Sequence, residues 1–346
     1  MSGLPPQLLG NPDQVASAVP SVVADGPAAG CRALDLRVQD GIDLRLLPDR
    51  ALDVGAAWYR GIPLAWISPV GEHAPLLAPR DLDWVAAFGG GLVTTCGLRN
   101  VGVPSEGHGQ HGAISHQRAR DVQTERVVLP DGHAALRTRA TVLEGAALGP
   151  LLELRREWTT RTGEGLVELV DRTRNLGAEP VDAPLLYHVN VGAPLWMPGA
   201  TVELDCERTI PRDDAAAPHV ESALRAPEPA PGAAERVFEH ELRPGADGWA
   251  AATLRSPAAG LELELRWDAG PLPRMHQWVH PASGVYVLGL EPANCSVLGR
   301  AHDRAEGRLP VLAPGEERET RLQIRACEAP PGLAATRRGA AAPRRS

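Results

Sequence analysis

The chain has 346 residues, 43% of them hydrophobic and 23% charged, a balance that supplies an ordinary globular core. Its formal net charge is −8, which repels nucleic acid and anionic membrane surfaces and excludes both as expected partners. It has no lysine, which rules out a lysine Schiff base, a pyridoxal aldimine and a P-loop phosphate site.

The five cysteines (31, 96, 206, 295 and 327) form no CxxC pair and are odd in number, so reduced and mostly buried thiols are expected. No apolar run approaches the ~20 residues needed to span a bilayer. The first thirty residues lack a basic segment followed by an apolar one, so no signal peptide is expected and the cytoplasm is the expected location.

Residues 1–30, rich in Pro, Gly, Ala and Ser and without periodicity, read as a flexible arm. Strand-like runs then follow at Leu34–Val38, Ile42–Leu47 and Ala65–Ser68. Gly89–Asn100 (GGGLVTTCGLRN) reads as a strand end where backbone packs closely, with Arg99 offering a planar donor fork to sugar hydroxyls. Glu106–His116 (EGHGQHGAISH) holds three histidines and three glycines, a composition that lets backbone approach a ligand. His108, His111, His116 and Glu106 also form a conceivable metal set. The i, i+3 spacing of His108 and His111 serves best on a helix, however, and the glycines argue against one. No metal is expected there.

Further runs occur at Ala135–Val142, Leu151–Thr159 and Leu166–Asn175. In Leu185–Gly192 (LLYHVNVG) the strand period places His188, Asn190 and Gly192 on one face and Tyr187, Val189 and Val191 on the other. A His and an Asn side by side on a central strand are costly to bury without partners, which marks a candidate site. Residues 211–236 read as a long surface excursion. Ala250–Arg255, Leu261–Trp267 and Glu319–Arg325 continue the strands, the last two alternating apolar and polar residues. Between them, Pro273–His280 (PRMHQWVH) brings Gln277 and Trp278 as a hydroxyl partner and an apolar sugar platform. In Val285–Asn294 (VYVLGLEPAN) Glu291 closes an apolar strand before a proline, as a cap or as a catalytic base. Residues 329–346 read as a disordered basic tail.

Period-two strands with polar outer faces, punctuated by Gly and Pro and without helical crossovers, predict an all-β protein. The expected architecture is a large antiparallel twisted β-sandwich formed by one domain over residues 31–328.

These stretches, in this order, resemble the aldose 1-epimerase (galactose mutarotase) superfamily over roughly residues 34–326. The matching features are Arg99, His111-Gly112, His188 followed by Asn190, and Glu291-Pro292. The GLVTTCGLRN, YHVNVG and GLEPANC stretches are similar to a divergent, largely uncharacterised bacterial branch. The residues flanking His188 are more apolar than is usual in the superfamily. The resemblance implies a galactose mutarotase-like supersandwich and an isomerase that opens and recloses the ring of a monosaccharide or sugar derivative without a cofactor. It further implies Glu291 as base and His188 as acid on opposite sides of the anomeric carbon, with Arg99, His111 and Asn190 as substrate contacts; Gln277 and Trp278 are expected to join them on their own chemistry. A neighbouring carboxylate is expected to shift His188 upward. Three alternatives stay open: another sugar isomerase or epimerase on the same fold, a non-catalytic carbohydrate-binding protein, and a metal-dependent isomerase using the histidine-rich loop.

Overall fold

The computed structural model describes residues 9–329. The chain begins with four antiparallel strands, β1 (Ala16–Val22), β2 (Arg32–Val38), β3 (Ile42–Leu47) and β4 (Asp53–Tyr59), and a short β5 (Ile62–Pro63) that pairs with β4. A one-turn helix α1 (Asp83–Ala86) precedes β6 (Val93–Gly97). Four long strands follow, β7 (Arg120–Val128), β8 (Ala134–Gly145), β9 (Leu151–Arg161) and β10 (Leu166–Asn175). After β11 (Val181–Asp182) come β12 (Leu185–Val191), β13 (Thr201–Leu204), β14 (Cys206–Pro211) and β15 (Arg236–Leu242). The remainder comprises β16 (Trp249–Ser256), β17 (Leu261–Asp268), β18 (Arg274–His280), β19 (Val287–Ala293), helix α2 (Arg300–Ala305), β20 (Val311–Leu312) and β21 (Glu317–Glu328).

Two large antiparallel sheets form the sandwich. The first runs β1-β2-β3-β4-β6-β12-β19-β18-β15-β14, and the second runs β13-β16-β17-β21-β10-β9-β8-β7. The expected alternation holds: β17 buries every second residue from Leu261 to Trp267, and β21 buries Thr320, Leu322 and Ile324. These side chains meet Leu44, Tyr187, Val189, Leu288, Leu290 and Met275 of the first sheet in the main core between the sheets. Burial of this apolar area is the main force holding the two sheets together.

β12 and β19 are buried at every position, because their outward faces are covered as well. Cys96, Leu186, Val287 and Ala293, on the face away from the main core, pack with Trp66, Trp84 and Phe88 in a second apolar cluster. The loops and α1 that supply these rings roof the central strands.

Three expectations need correction. Residues 16–22 are not part of a flexible arm; they form β1, the edge of the first sheet. Its Ala/Ser/Pro composition hid it, yet Pro20 is tolerated because an edge strand needs only one side of its ladder. Residues 1–8 of the expected arm and 330–346 of the expected tail lie outside the described residues. Ala65–Ser68 is not a strand and makes only isolated bridges, Ala65 to Val191 and Ile67 to Gly90. Glu291 does not end its strand: β19 continues through Pro292 to Ala293. Among the described residues no helix is long and apolar enough to cross a membrane.

Candidate active site

On β12 and β19 the register pairs Leu186 with Ala293 and Val189 with Leu290. This places His188 directly opposite Glu291 on the roofed face. No backbone pair forms between these two positions; Pro292 lacks the N–H that a regular ladder would use there. His188 Nε2 and Glu291 Oε1 stand 3.1 Å apart. They are not aligned as a hydrogen bond, and Glu291 Oε1 and His188 Nδ1 have no protein partner. Both side chains are almost wholly buried. Unsatisfied polar atoms at such depth are expensive unless a ligand or a proton transfer uses them.

The pair lies in a cavity of about 250 Å3. Its walls are largely aromatic: Trp84 and Phe88 from the α1 region, Trp278 from β18, and His111 from the glycine-rich loop. The His188 ring centroid lies 5.3 Å from Phe88, 5.4 Å from Trp278, 5.9 Å from His111 and 6.1 Å from Trp84. Apolar bodies around a few convergent polar groups are the usual make-up of a small-molecule site.

This environment sets the proton chemistry. Burial lowers His188 from its ordinary value to about 4, an effect that outweighs the raising influence of the neighbouring Asn190 side chain. Burial raises Glu291 to about 8, assisted by the nearby charge of Glu235. The upward shift expected for His188 is therefore reversed, because desolvation of the buried ring penalises its cation. Burial also lowers His111, to about 3, so it is neutral near neutral pH. Its Nδ1 faces the Gly102 N–H at 3.4 Å, which leaves Nε2 as the N–H donor.

Gly289 lies between the pair and Trp278. A Cβ there would sit 2.5 Å from Glu291 Oε1, 3.1 Å from His188 Cε1 and 3.2 Å from Trp278 Cβ. Gly289→Ala is thus expected to displace the carboxylate; if the pair transfers protons, its rate should fall about 100-fold, since small misplacements of reacting groups are that costly. Kinetics together with thermal melting check this: an unchanged rate in a folded variant would show that the pair tolerates displacement.

The loop that carries His111 is pinned from behind. Asn100 Nδ2 donates to the carbonyls of Val103 and Gly109, and its Oδ1 accepts from the Arg300 N–H. The Arg300 guanidinium ties Glu106, Asp182 and the Arg99 carbonyl together. Gly112 passes so close to β6 that a Cβ would lie 2.2 Å from the Gly97 carbonyl oxygen, and its φ is +71°. Only glycine fits there comfortably.

The other residues expected at the site are placed as follows. Trp278 lines the cavity and donates through Nε1 to Glu235. Asn190 lies beside the site without lining it; its Nδ2 donates to the carbonyls of Gly91 and His188, holding the strand. Arg99 does not line the cavity. Its side chain is half-buried among the charges of Arg300, Glu144, Asp182 and Arg304. Gln277 points to the opposite face of β18, where it bonds His240 and the Ala223 carbonyl. Strand alternation explains this, because Trp278 and Gln277 are neighbours and cannot share a face.

The three histidines of residues 106–116 diverge. His111 enters the cavity, His116 accepts from the Leu76 N–H, and His108 lies near Arg300 and Arg99. Among the described residues no three His, Cys, Asp or Glu side chains converge as a metal-ligand set.

Sequence reasoning missed Trp84, Phe88, Arg212, Glu235 and His280 among the lining residues. One signal was present: Trp84 and Phe88 are four residues apart in a chain with only two Phe, and they stack at 4.2 Å. Arg212 and Glu235 bracket a 22-residue excursion, and nothing local in the sequence joins them.

The fold is the galactose mutarotase-like β-sandwich, an architecture shared by proteins of the aldose 1-epimerase class. A Klebsiella pneumoniae protein provisionally described as an aldose 1-epimerase superposes with a TM-score of 0.84 at 20% identity, covering 92% of this chain and 89% of that one. A galactose mutarotase-like protein from Clostridium acetobutylicum gives 0.62 at 10% identity (91% and 99% covered). Galactose 1-epimerase from Lactobacillus acidophilus gives 0.59 at 11% (91% and 99%). At these identities the likeness is one of fold. The chain belongs to DUF4432, a family described as a domain of unknown function, whose model matches residues 28–326. A search of curated proteins gave no match.

Proposed function

We propose that the protein is an isomerase of the aldose 1-epimerase kind, interconverting the anomers of an aldose by acid–base ring opening. One observation carries this reading: an imidazole and a carboxylate, 3.1 Å apart and otherwise unpartnered, inside an aromatic-walled cavity.

Ring opening removes a proton from the anomeric hydroxyl, breaks the bond from C1 to the ring oxygen, and delivers a proton to that oxygen. Glu291 as carboxylate takes the first proton and His188 as imidazolium gives the second. Opposite placement was expected for the two groups; 3.1 Å leaves no space for a ring between them. They face the sugar from one side. That suffices, because the hydroxyl and the ring oxygen are both bonded to C1.

The charged pair and the neutral pair hold the same number of protons. Burial favours protonated Glu291 with neutral His188, which is both the resting form of the pair and the arrangement reached once the ring has opened, so the first transfer starts from the less populated charged form. Rotation about C1–C2 then turns the other carbonyl face to the ring hydroxyl. Closure returns both protons by the reverse transfers. His111, neutral and donating through Nε2, supports the ring oxygen or a hydroxyl.

The test is NMR exchange between the anomers of a panel of free aldoses. Acceleration is expected over a plateau between about pH 4 and about pH 8, the values assigned to His188 and Glu291. Below it His188 gains a second proton and no base remains; above it Glu291 loses its proton and the pair lacks an acid. Bound sugar with no acceleration at any pH in that window would overturn the reaction and leave a binding protein.

A further inference from the structure

Two charged side chains line the cavity besides Glu291: Arg212, just after β14, and Glu235, just before β15. β15 pairs with β18, and β18 with β19, so Glu235 lies two strands from Glu291 and, by the register, four residues further along the sheet. Its charge still bears on Glu291, so both face the same space. Glu235 Oε1 accepts from Arg212 Nη2 at 2.9 Å, and Oε2 accepts from Trp278 Nε1 at 2.9 Å. Arg212 Nε donates to Asp213 Oδ2 at 2.8 Å. Arg212 Nη1 makes no hydrogen bond among the described residues.

Each group is therefore oriented by the protein and only half used. A carboxylate oxygen with one donor still has a free lone pair, and Nη1 has two N–H groups to give. A fixed donor beside a fixed acceptor matches two adjacent hydroxyls, one accepting and one donating. The charge balance points the same way. Arg212 already has the carboxylates of Asp213 and Glu235 against it, so a phosphate or carboxylate on the ligand would meet two negative groups for one positive.

We propose that Arg212 and Glu235 are the specificity element of this cavity, binding a vicinal diol of an uncharged sugar at the ring edge away from His188 and Glu291. Trp278, bonded to Glu235 and 5.4 Å from the His188 ring, is the platform joining the two ends. The inference rests on the reading of the cavity as a sugar site.

The test compares neutral aldoses, their monodeoxy analogues, a sugar phosphate and a uronate on wild type, Glu235→Gln and Arg212→Gln. Both KM from anomer exchange and Kd from ligand-observed NMR are recorded. Wild type is expected to prefer a neutral parent sugar over one deoxy analogue by about 10- to 100-fold, the usual worth of a hydrogen bond to a charged group. Both variants lose most of that preference, read as the parent-to-deoxy ratio in KM and in Kd. An unaltered parent-to-deoxy ratio in the variants, or a wild-type preference for the phosphate or uronate, overturns the proposal. If no sugar is turned over, the same loss of discrimination in Kd upholds the diol site while the reaction fails. Absence of binding by every neutral sugar overturns both.

Discussion

Replacing Glu291 by Gln is expected to lower the rate of anomer exchange about 100- to 10,000-fold, the range for removing a positioned acid–base group. Glutamine keeps the shape of the side chain but cannot carry the proton that the pair passes to and from the sugar. Sugar binding should change little, since the cavity walls are untouched. The upper limb of the pH profile should also disappear, because the group that titrates near 8 is gone. Single-turnover exchange with parallel Kd measurements separates the two effects. A variant that retains wild-type exchange would remove Glu291 from the chemistry. Lost binding with an unchanged rate at saturation would make it a contact only.

The second large effect lies beneath the site. Arg156 on β9 is fully buried and donates to Asp171 on β10 through Nε and Nη2 (2.9 and 2.7 Å), and to Asp53 on β4. It also bonds Thr95 on β6 and the Ala51 carbonyl. Tyr187, next to His188 in the chain, donates to Asp171 at 2.7 Å. The group clamps the two sheets together below β12 and β19. Burial opposes charge throughout, yet Asp171 and Asp53 together keep the guanidinium protonated.

Arg156→Met keeps most of the side chain's bulk and leaves two buried carboxylates without their cation. A loss of about 3–5 kcal/mol of folding stability at pH 7 is expected, read from urea unfolding. The sign with pH is fixed. Burial raises Asp53 even with Arg156 present, and more so without it. A group raised on folding is fully accommodated below its unfolded value of about 3.9, and stability is then lost as pH rises. The variant should therefore be closest to wild type near pH 4. Adding Asp53→Asn and Asp171→Asn should restore much of the loss. Wild-type stability of Arg156→Met at pH 7 would show that the clamp holds nothing.

Much of this architecture was legible in the order of residues. Period-two runs such as Leu261–Trp267 and Glu319–Arg325 state which face is buried, because adjacent side chains on a strand must point apart. The same rule placed His188 and Asn190 on one face. Glu291 stood out because a carboxylate in an apolar strand before a proline needs a reason. Strand β1 was hidden: its composition suits a loose segment, and only an edge beside β2 makes its pairing worthwhile.

Geometry across strands decided the rest. That His188 faces Glu291 follows from the β12–β19 register, which joins residues about a hundred positions apart. Nearly twice that distance in sequence separates Trp84 from Trp278, and no local pattern announces that α1 roofs the sheet. Gln277 and Arg99 have the right chemistry for a sugar site but lie outside the cavity, one turned by strand alternation and the other drawn toward the ion pairs behind the loop. Residue types and their period determined the sheets, their faces and the candidate acid and base. The tertiary structure alone decided which polar groups share one desolvated space. That desolvation, a property of the packed surroundings and of no residue by itself, sets the protonation of His188 and Glu291.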